Sequence, residues 1–356
     1  MSARTLDNFT GCLLGGAAGD ALGAPTEFLS RQEIVETYGP GGISEYDEFA
    51  HGRGEITDDT QLVLFTAEAI LQACSGAGKK EYDDVIGRFA FEAYLRWYDT
   101  QTLSFEESMV KNKHADHPGW LVFDKRMYKR RAPGYSCLTA LEKTSRTGQW
   151  GTVDHPVNDS KGCGAVMRMA PLGLIHGLSP EHAFRDGVQL AAMTHGHPDG
   201  YLPAGFLACM IAFIQQGLTL RQSIDIALTE LSHYNHHENT QKAILQAIHS
   251  VEQDAPTIEN LEMLGGGWVG EEALAISLFC TLHYPTDFKR AILLAVNHSG
   301  DTDSTGSITG NILGLLLGEK AIPASWIQYL NMEPLIREMA KRMFDSEGFT
   351  SGSLVR

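Results

Sequence analysis

Two short acidic clusters carry the residues most suited to chemistry in this chain. They are Thr57-Asp58-Asp59-Thr60 and Gly300-Asp301-Thr302-Asp303-Ser304, and each leads directly into an uncharged apolar run. Such a placement would bury four carboxylates in a helical core, where like charges force protonation or unfolding unless a cation neutralises them. Ligand sets made only of oxygen favour Mg²⁺ or Mn²⁺. The clusters therefore predict a metal site.

Both clusters also suit the first turn of a helix. Thr57 is a good N-cap residue, and acidic residues are electrostatically favoured at a helix N-terminus, so simple capping is the alternative for either cluster alone. Adjacent helical residues point about 100° apart, so the two aspartates of a cluster would serve different metals, with the hydroxyl of Ser304 beside them. Two cations about 3.5–4 Å apart lower the pKa of a bridging water and orient it. Hydrolysis is the expected chemistry.

Other segments carry further candidates. Glu27 follows a glycine-rich helical segment and could be a general base or a substrate gate. The small residues from Asn158 to Ala165 form a loop whose backbone N–H groups could hold a diphosphate, with a plain turn as an equal alternative. His195 and His197, taken alone, are ordinary polar residues. The histidine run 233–237 lacks the spacing of a closed zinc site and is interpreted as a surface loop.

The elements that must position these residues are predicted to be helices, because apolar residues recur with helical periodicity and no alternating strand series competes. The predicted helices are Gln61–Ala73, Tyr82–Trp97, Phe184–Thr194, Leu202–Gln216, Leu220–Leu231, Thr240–Val251, Glu271–Leu282, Phe288–Asn297 and Ser307–Leu317. No linker is rich enough in Pro, Gly or Ser to divide the chain. We therefore expect one all-α domain over residues 1–356.

Glycine recurs at every fourth residue in two places. The two sets are Gly11, Gly15, Gly19, Gly23 and Gly306, Gly310, Gly314, Gly318. Glycine weakens a helix by about 1 kcal/mol relative to alanine, so four on one face imply an offsetting gain from close backbone approach. The two faces are predicted to pack together. A membrane G-x-x-x-G motif is the rival, but Asp20, Asp303 and the short apolar lengths disfavour it.

Composition excludes several classes of protein. The chain has 356 residues and a formal charge of -16, which disfavours a general nucleic-acid binder. Six cysteines without a C-x-x-C pair indicate reduced, buried thiols rather than a zinc ribbon or a disulfide framework. The N-terminus lacks a signal-like apolar region, and no segment reaches the roughly 20 apolar residues that cross a bilayer. A cytoplasmic protein without membrane contact is expected.

One stretch is basic in this acidic chain. Between Lys111 and Arg131, within a predicted insertion near 101–135, seven basic residues stand against Asp116 and Asp124. The seven are Lys111, Lys113, Lys125, Arg126, Lys129, Arg130 and Arg131. The stretch is either an ordinary solvated loop or a contact surface for an anionic ligand or partner.

Taken together and in order, four motifs resemble those of the ADP-ribosylglycohydrolase family, which includes dinitrogenase reductase-activating glycohydrolase and the ADP-ribosylarginine hydrolases. They are Gly15-x-x-x-Gly19-Asp20-Ala21-x-Gly23, Thr57-Asp58-Asp59-Thr60, Gly162-Cys163-Gly164-Ala165-x-x-Arg168 and His298-Ser299-Gly300-Asp301-Thr302-Asp303-Ser304. The match spans nearly the whole chain. It implies a compact, orthogonal multi-helix all-α fold, a centre of two Mg²⁺ (or Mn²⁺) ions, and hydrolysis of the bond joining ADP-ribose to a protein side chain.

The resemblance also implies roles for individual residues. The implied metal ligands are Thr57, Asp58, Asp59, Asp301, Asp303 and Ser304. Glu27 falls where the family keeps a carboxylate near the scissile bond, with Asp59 or Asp303 as the other candidate acids. The segment Gly162-Cys163-Gly164 would hold the diphosphate, with Asn158 and Ser160 in the same loop, and His195 would lie beside ribose or phosphate.

Serine as the last ligand resembles the arginine-directed branch, so ADP-ribosylarginine is the expected linkage. A metal-associated water would attack the anomeric carbon in an oxocarbenium-like step, and an acid would supply the proton that a guanidine leaving group needs. The alternative is a protein that binds ADP-ribose without turnover, or an immunity protein that blocks an ADP-ribosyltransferase toxin. In that case the basic stretch would be the contact surface for the partner.

Overall fold

Helices provide nearly all the regular structure in the computed structural model, which describes residues 5–49, 52–76, 82–112, 119–175 and 179–346. The α-helices are α1 (Leu6–Gly23), α2 (Arg31–Tyr38), α3 (Asp58–Gly76), α4 (Tyr82–Thr102), α5 (Phe105–Asn112), α6 (Tyr135–Thr147), α7 (Ala170–Gly173), α8 (Pro180–Ala192), α9 (Pro198–Gln215), α10 (Leu220–Leu231), α11 (Glu238–Gln253), α12 (Ile258–Glu262), α13 (Gly270–His283), α14 (Phe288–Ala295), α15 (Thr302–Leu317), α16 (Ala324–Tyr329) and α17 (Glu333–Asp345). Short 3₁₀ helices lie at Leu121–Phe123, Lys125–Tyr128, Cys163–Arg168 and Glu319–Ala321. Strands β1 (Glu48–Phe49) and β2 (Gly52–Arg53) pair in antiparallel fashion.

The prediction of an all-α fold is confirmed, and each helix predicted from periodicity is present with small shifts at its ends. Two of these shifts matter for the site. Helix α3 begins at Asp58 and helix α15 begins at Thr302, both earlier than the apolar pattern alone indicates. The acidic clusters therefore lie in or beside the first turns of two buried helices.

Helices α1 and α15 pack through their glycine faces, as the four-residue spacing predicts. A Cβ atom added at Gly11, Gly15 or Gly19 would overlap a backbone carbonyl of a glycine on α15, and the same holds in the reverse direction. At the end of α1, a Cβ atom at Gly23 would overlap the carbonyl group of Thr302. The end of α1 therefore lies against the beginning of α15, which is an antiparallel arrangement in which the glycine backbones are in direct contact.

Gly318 continues the contact beyond the last helical residue of α15, because a Cβ atom added at Gly11 would overlap its backbone carbonyl carbon. This residue ends α15 with a φ of 80°, in the left-handed region that favours glycine. A Cβ atom added there would overlap the carboxylate of Asp7 rather than the backbone of α1. Glycine at this position is therefore favoured both by the left-handed helix end and by the close approach to Gly11.

Helix α9 lies at the centre of the core. Every residue from Asp199 to Gln215 is buried, which explains why the helix is apolar on all sides, and α8, α10 and α13 pack around it. Pro198 occupies its first turn, where no backbone N–H is needed for the helix. Neither α9 nor any other helix in the described ranges combines the length and the hydrophobicity required to span a membrane.

The basic stretch is largely neutralised by nearby carboxylates. The ion pairs are Lys111–Asp99, Lys125–Glu106, Arg126–Asp124, Lys129–Glu55 and Arg131–Glu55. Lys113 and Asp116 lie outside the described residues. Because Glu55 and Asp99 come from outside the stretch, the surplus of positive charge counted along the sequence is smaller in space.

We expect Gly19→Ala to lower the free energy of unfolding by about 3 kcal/mol or more, because the added methyl group meets backbone that cannot rotate away. Gly41→Ala is the matched control, since nothing lies within 4 Å of a Cβ atom there. That variant should stay within about 0.5 kcal/mol of the parent. Urea unfolding of both variants measures the difference, and equal stability of the two would contradict close helix packing.

Candidate functional site

The two acidic clusters and Glu27 meet in a single cleft of about 330 Å³. Asp58 and Asp59 line it from the first turn of α3, and Asp301 and Asp303 line it from the beginning of α15. Oxygen atoms of Glu27, Asp301 and Asp303 lie within 4.8 Å of one another. The structure therefore brings together all five carboxylates that the sequence singles out.

Local capping fixes the backbone of both clusters. The backbone N–H of Asp59 donates to Thr57 Oγ1 over 3.2 Å, and the N–H of Ser304 donates to the side chain of Asp301 over 3.3 Å. Each interaction satisfies an N–H group that has no partner inside its helix. Capping and a metal site are thus compatible here, because the carboxylate of Asp59 and that of Asp303 still face the cleft.

Asp20 supports the first cluster from behind, a role that the sequence did not assign. It is fully buried on α1, and its carboxylate accepts hydrogen bonds from the backbone N–H of Thr57 at 3.0 Å and of Thr60 at 3.2 Å. The Thr60 hydroxyl adds a third at 2.5 Å. The signal was present, since a charged residue interrupts an otherwise apolar glycine-faced helix. Burial raises the pKa of Asp20 to about 6 against these hydrogen bonds.

The electrostatics of the cluster favour bound cations. Burial, helped by the charges of Asp20 and Asp301, raises the pKa of Asp58 to about 8 against backbone hydrogen bonds that lower it. Burial with the charge of Asp301 raises the pKa of Glu27 to about 9. Burial also raises the pKa of Asp59 and of Asp303 well above the usual range. None of the described residues that line the cleft is Lys or Arg. The negative charges therefore lack a cationic side chain of their own.

The donor set fits hard divalent cations. Asp59 Oδ2 is buried and has no hydrogen-bond partner among the described residues, an arrangement that is costly unless something else binds there. The hydroxyl of Ser304 lies beside the carboxylate of Asp59. The hydroxyl of Thr57 caps α3, the helix that carries Asp59. Carboxylate and hydroxyl oxygens from two helix starts are the ligands that Mg²⁺ and Mn²⁺ prefer.

Cys163 contacts the acidic cluster directly. Its thiol donates to Asp301 Oδ2 over 2.7 Å and lies 3.6 Å from the hydroxyl of Ser304. The backbone N–H groups of Gly162 and Cys163 are already bonded, to Ser160 Oγ at 3.3 Å and to the carbonyl of Trp268 at 3.2 Å. Two of the three amides predicted to hold a diphosphate are thus engaged in this conformation.

Asn158 and Ser160 stabilise the loop rather than line the cleft. The amide of Asn158 donates to the carbonyl of Thr194 over 2.9 Å, and its Oδ1 accepts from the N–H groups of Ser160 and Gly196. The hydroxyl of Ser160 lies 2.8 Å from that of Ser136. These contacts join the loop to the segment that carries His195, whereas Cys163, Gly164 and His195 line the cleft itself.

His195 is held as a neutral imidazole. Burial, with the nearby charge of Arg168, lowers its pKa to about 3. Its Nδ1 lies 2.8 Å from the hydroxyl of Thr194, which accepts from Arg168 at 2.7 Å and so has its own proton to donate. This arrangement favours a proton on Nε2, the nitrogen that packs against Gly162 and Gly164. His195 can therefore donate a hydrogen bond into the cleft.

Three aromatic residues surround the cleft entrance, and the sequence had not indicated them. Phe28 and Trp268 stack with ring centroids 5.1 Å apart, and Tyr135 lines the cleft as well. Phe28 is 72% exposed and Tyr135 is 81% exposed, unusual values for large apolar rings. Two of them could have been found from the sequence, because Phe28 directly follows Glu27 and Trp268 directly follows a run of three glycines. Exposed ring faces suit stacking against a flat ligand.

The fold and the site define an all-helical protein whose cleft ends on a buried set of carboxylates arranged for metal ions. The sequence matches the ADP-ribosylglycohydrolase family over residues 1–351, and the chain belongs to that family of hydrolases.

Similar proteins span most of the chain. It is 26% identical over 345 residues to the ADP-ribosylarginine hydrolase Tri1 of Serratia proteamaculans, covering 96% of this chain and 80% of that protein. It is 24% identical over 338 residues to the ADP-ribosyl-[dinitrogen reductase] glycohydrolase of Rhodospirillum rubrum, covering 92% and 91%. A solved ADP-ribosylglycohydrolase-related protein complex contains a chain with the same fold, at a TM-score of 0.67 and 23% identity, covering 96% of this chain and 98% of that one.

We expect the metal-free protein to become less stable as the pH rises from about 5 to about 9. Unfolded carboxyl groups release their protons near pH 4, whereas Asp58 and Glu27 hold theirs to about 8 and about 9 in the fold. The folded state therefore binds more protons in this window, and its stability must fall as they are lost. Urea unfolding in EDTA measures this.

Asp303→Asn is compared with the parent protein in the same measurement. Because it removes one of the buried carboxylates, its free energy of unfolding should depend less steeply on pH. Addition of Mg²⁺ to the parent protein should do the same. A free energy of unfolding that stays constant or rises over this range in EDTA would show that burial does not raise the pKa of these carboxyl groups.

Proposed function

We propose that this protein hydrolyses the bond joining ADP-ribose to a modified protein side chain, with two Mg²⁺ or Mn²⁺ ions held at the acidic cluster. The observation that carries the proposal is the set of five carboxylates at one cleft, four of them buried and Glu27 half-buried, without a cationic side chain among the described lining residues. Membership of the ADP-ribosylglycohydrolase family supports the sugar nucleotide. The catalytic candidates remain Glu27, Asp59 and Asp303.

The ions would be held by the six residues that the resemblance implied. These are Thr57, Asp58, Asp59, Asp301, Asp303 and Ser304. When bound, such ions offset the carboxylate charge and lower the pKa of a water molecule enough for it to act as a nucleophile. The orphaned Asp59 Oδ2 and the helix caps beneath both clusters mean that the side chains need little rearrangement to serve as ligands.

Glu27 is the residue best placed to handle the proton of the leaving group. It is half-buried on the turn after α1, and it lies against Asp301 and Asp303 while still lining the open cleft. Its raised pKa keeps the carboxyl protonated to higher pH than usual in the metal-free protein. A guanidine leaves readily only when it is protonated, and the position of the Glu27 carboxyl between the acidic cluster and the open cleft suits the donor role.

The remainder of the cleft suits a nucleotide. Neutral His195 supplies an N–H donor for a ribose hydroxyl or a phosphate oxygen, and Gly164 lets a ligand approach the backbone closely. The exposed rings of Phe28, Trp268 and Tyr135 can stack on a base. Neutrality of His195 matters here, because a pKa of about 3 leaves the imidazole with one donor and one acceptor near neutral pH.

ADP-ribosylarginine is the linkage that we propose. A cleft rich in carboxylates attracts a guanidinium group, and Ser304 resembles the last ligand of the arginine-directed branch. The similar protein of Serratia proteamaculans is named an ADP-ribosylarginine hydrolase, which supports the same choice. A protein that binds ADP-ribose without turnover, such as an immunity protein against a transferase toxin, is the alternative and would use the same cleft.

We expect Asp303→Asn to reduce release of ADP-ribose by more than about 100-fold, because loss of a direct ligand exceeds the 10- to 100-fold effect of an outer contact. The same variant should lose its thermal stabilisation by Mg²⁺. Asp225→Asn, on the exposed face of α10 beside Arg221, is the control and should behave like the parent. Full activity of Asp303→Asn would remove Asp303 from the site.

A panel of substrates tests the linkage. Presented with ADP-ribosylarginine and ADP-ribosylserine peptides in Mg²⁺, the protein should release ADP-ribose from the arginine peptide at least about 10-fold faster, a difference of about 1.4 kcal/mol in activation free energy. EDTA should stop the reaction. Preference for the serine peptide would contradict the arginine assignment, and tight binding without release would favour the non-catalytic alternative.

A further inference from the structure

A buried ion pair lies directly behind the first acidic cluster. Arg131 is 2% exposed and Glu55 is 4% exposed, and the guanidinium of Arg131 donates to the carboxylate of Glu55. Glu55 also accepts from Lys129 Nζ at 3.2 Å and from the amide of Asn331 at 3.3 Å. A pair this deeply buried is costly to form, so its retention calls for a role beyond general stability.

The same arginine is fixed at both ends of its guanidinium. One terminal nitrogen reaches Glu55 and the carbonyl of Ile56 at 3.2 Å, and the other donates to Asn331 Oδ1 at 3.0 Å. Asn331 is itself tied to the segment before α3, because its backbone N–H donates to the carbonyl of Gly54 over 2.8 Å. The position of the Arg131 side chain is therefore determined by residues immediately before the acidic cluster.

The backbone around Arg131 contacts the cluster itself. The N–H of Asp58 donates to the carbonyl of Arg131 over 2.8 Å, and the N–H of Gly134 donates to Asp58 Oδ2 over 3.1 Å. Between these two contacts, Ala132 has a φ of 52°, a left-handed conformation that residues with a Cβ atom disfavour. Such a turn persists only where its surroundings hold it.

Gln61 provides a further link on the next turn of α3. Its side-chain amide donates to the carbonyl of Met127 at 3.2 Å and to that of Lys129 at 3.3 Å. The first turns of α3 are thus bonded to the segment 127–134 through a side-chain amide, a backbone N–H and a carboxylate. The segment contains the C-terminal part of the basic stretch, so the basic residues there act on the protein's own helix.

We propose that Glu55 and Arg131 are positioning residues that fix the carboxylate of Asp58 for metal binding. The ion pair holds the carbonyl of Arg131 and the N–H of Gly134 in place, and these two groups set the backbone and the side chain of Asp58 respectively. This inference rests on the proposed metal centre, and it assigns an internal role to Arg131, at the end of the basic stretch.

Titration calorimetry of Mn²⁺ into the metal-free, full-length protein tests the inference without any substrate. Glu55→Gln and Arg131→Met should each weaken Mn²⁺ binding by about 10-fold or more, the effect expected when a ligand loses an orienting contact. Asn331→Ala removes the side-chain hydrogen bonds to Arg131 and Glu55 but leaves the ion pair between them. It should therefore weaken Mn²⁺ binding in the same direction but by less. It also keeps the inference testable if the other two variants fail to fold.

Two controls separate positioning from general stability. Arg126→Ala breaks an exposed pair with Asp124 in the same stretch and should leave Mn²⁺ affinity unchanged. Ile244→Ala creates a cavity on α11, where the side chain is fully buried and no residue lines the cleft, so it should lower the melting temperature without changing the affinity.

The inference is overturned if every one of the three variants that folds binds Mn²⁺ with an affinity within about twofold of the parent's. Such a change is well below the usual effect of losing an orienting contact. It is overturned equally if the parent binds no divalent cation. A parent that binds Mn²⁺ yet releases no ADP-ribose from any linkage, with weakened binding in the variants, would leave the positioning role intact and remove only the proposed hydrolase function.

Discussion

The backbone contact between α1 and α15 is the constraint on which the site depends. Because glycines meet along this interface, the end of α1 lies against the beginning of α15, with Gly23 beside the carbonyl of Thr302. Glu27, on the turn that follows α1, is thereby brought to Asp301 and Asp303. A side chain at Gly11, Gly15 or Gly19 would separate the two helices and pull these carboxylates apart.

Helix α1 also determines where the other cluster lies. Asp20 on α1 accepts hydrogen bonds from the N–H groups of Thr57 and Thr60, so the first turn of α3 is fixed to the helix that precedes Glu27. The N-termini of α3 and α15 supply partial positive charge to their aspartates. This does not offset burial, because the pKa of Asp59 and of Asp303 remains well above the usual range.

Local patterns in the sequence predicted more of the fold than of the hydrogen bonds that hold the acidic clusters in place. Helical periodicity and the four-residue glycine spacing are properties of short segments, which is why the helices and the pairing of α1 with α15 could be inferred. The contact of Asp20 with Thr57 and that of Glu55 with Arg131 join residues far apart in the chain. The bond from the Cys163 N–H to the carbonyl of Trp268 joins distant residues in the same way, so composition alone could not indicate it.

Positive charge near the site is placed one layer behind the carboxylates. Arg131 binds Glu55 and reaches Asp58 only through its backbone carbonyl, while Arg168 stacks on Tyr94 with its guanidinium 4.3 Å from the ring centroid and acts on His195. A guanidinium in direct contact with the cluster would neutralise it and occupy the positions of the metal ions. The arginines instead fix the geometry of the cleft and leave its charge for bound cations to offset.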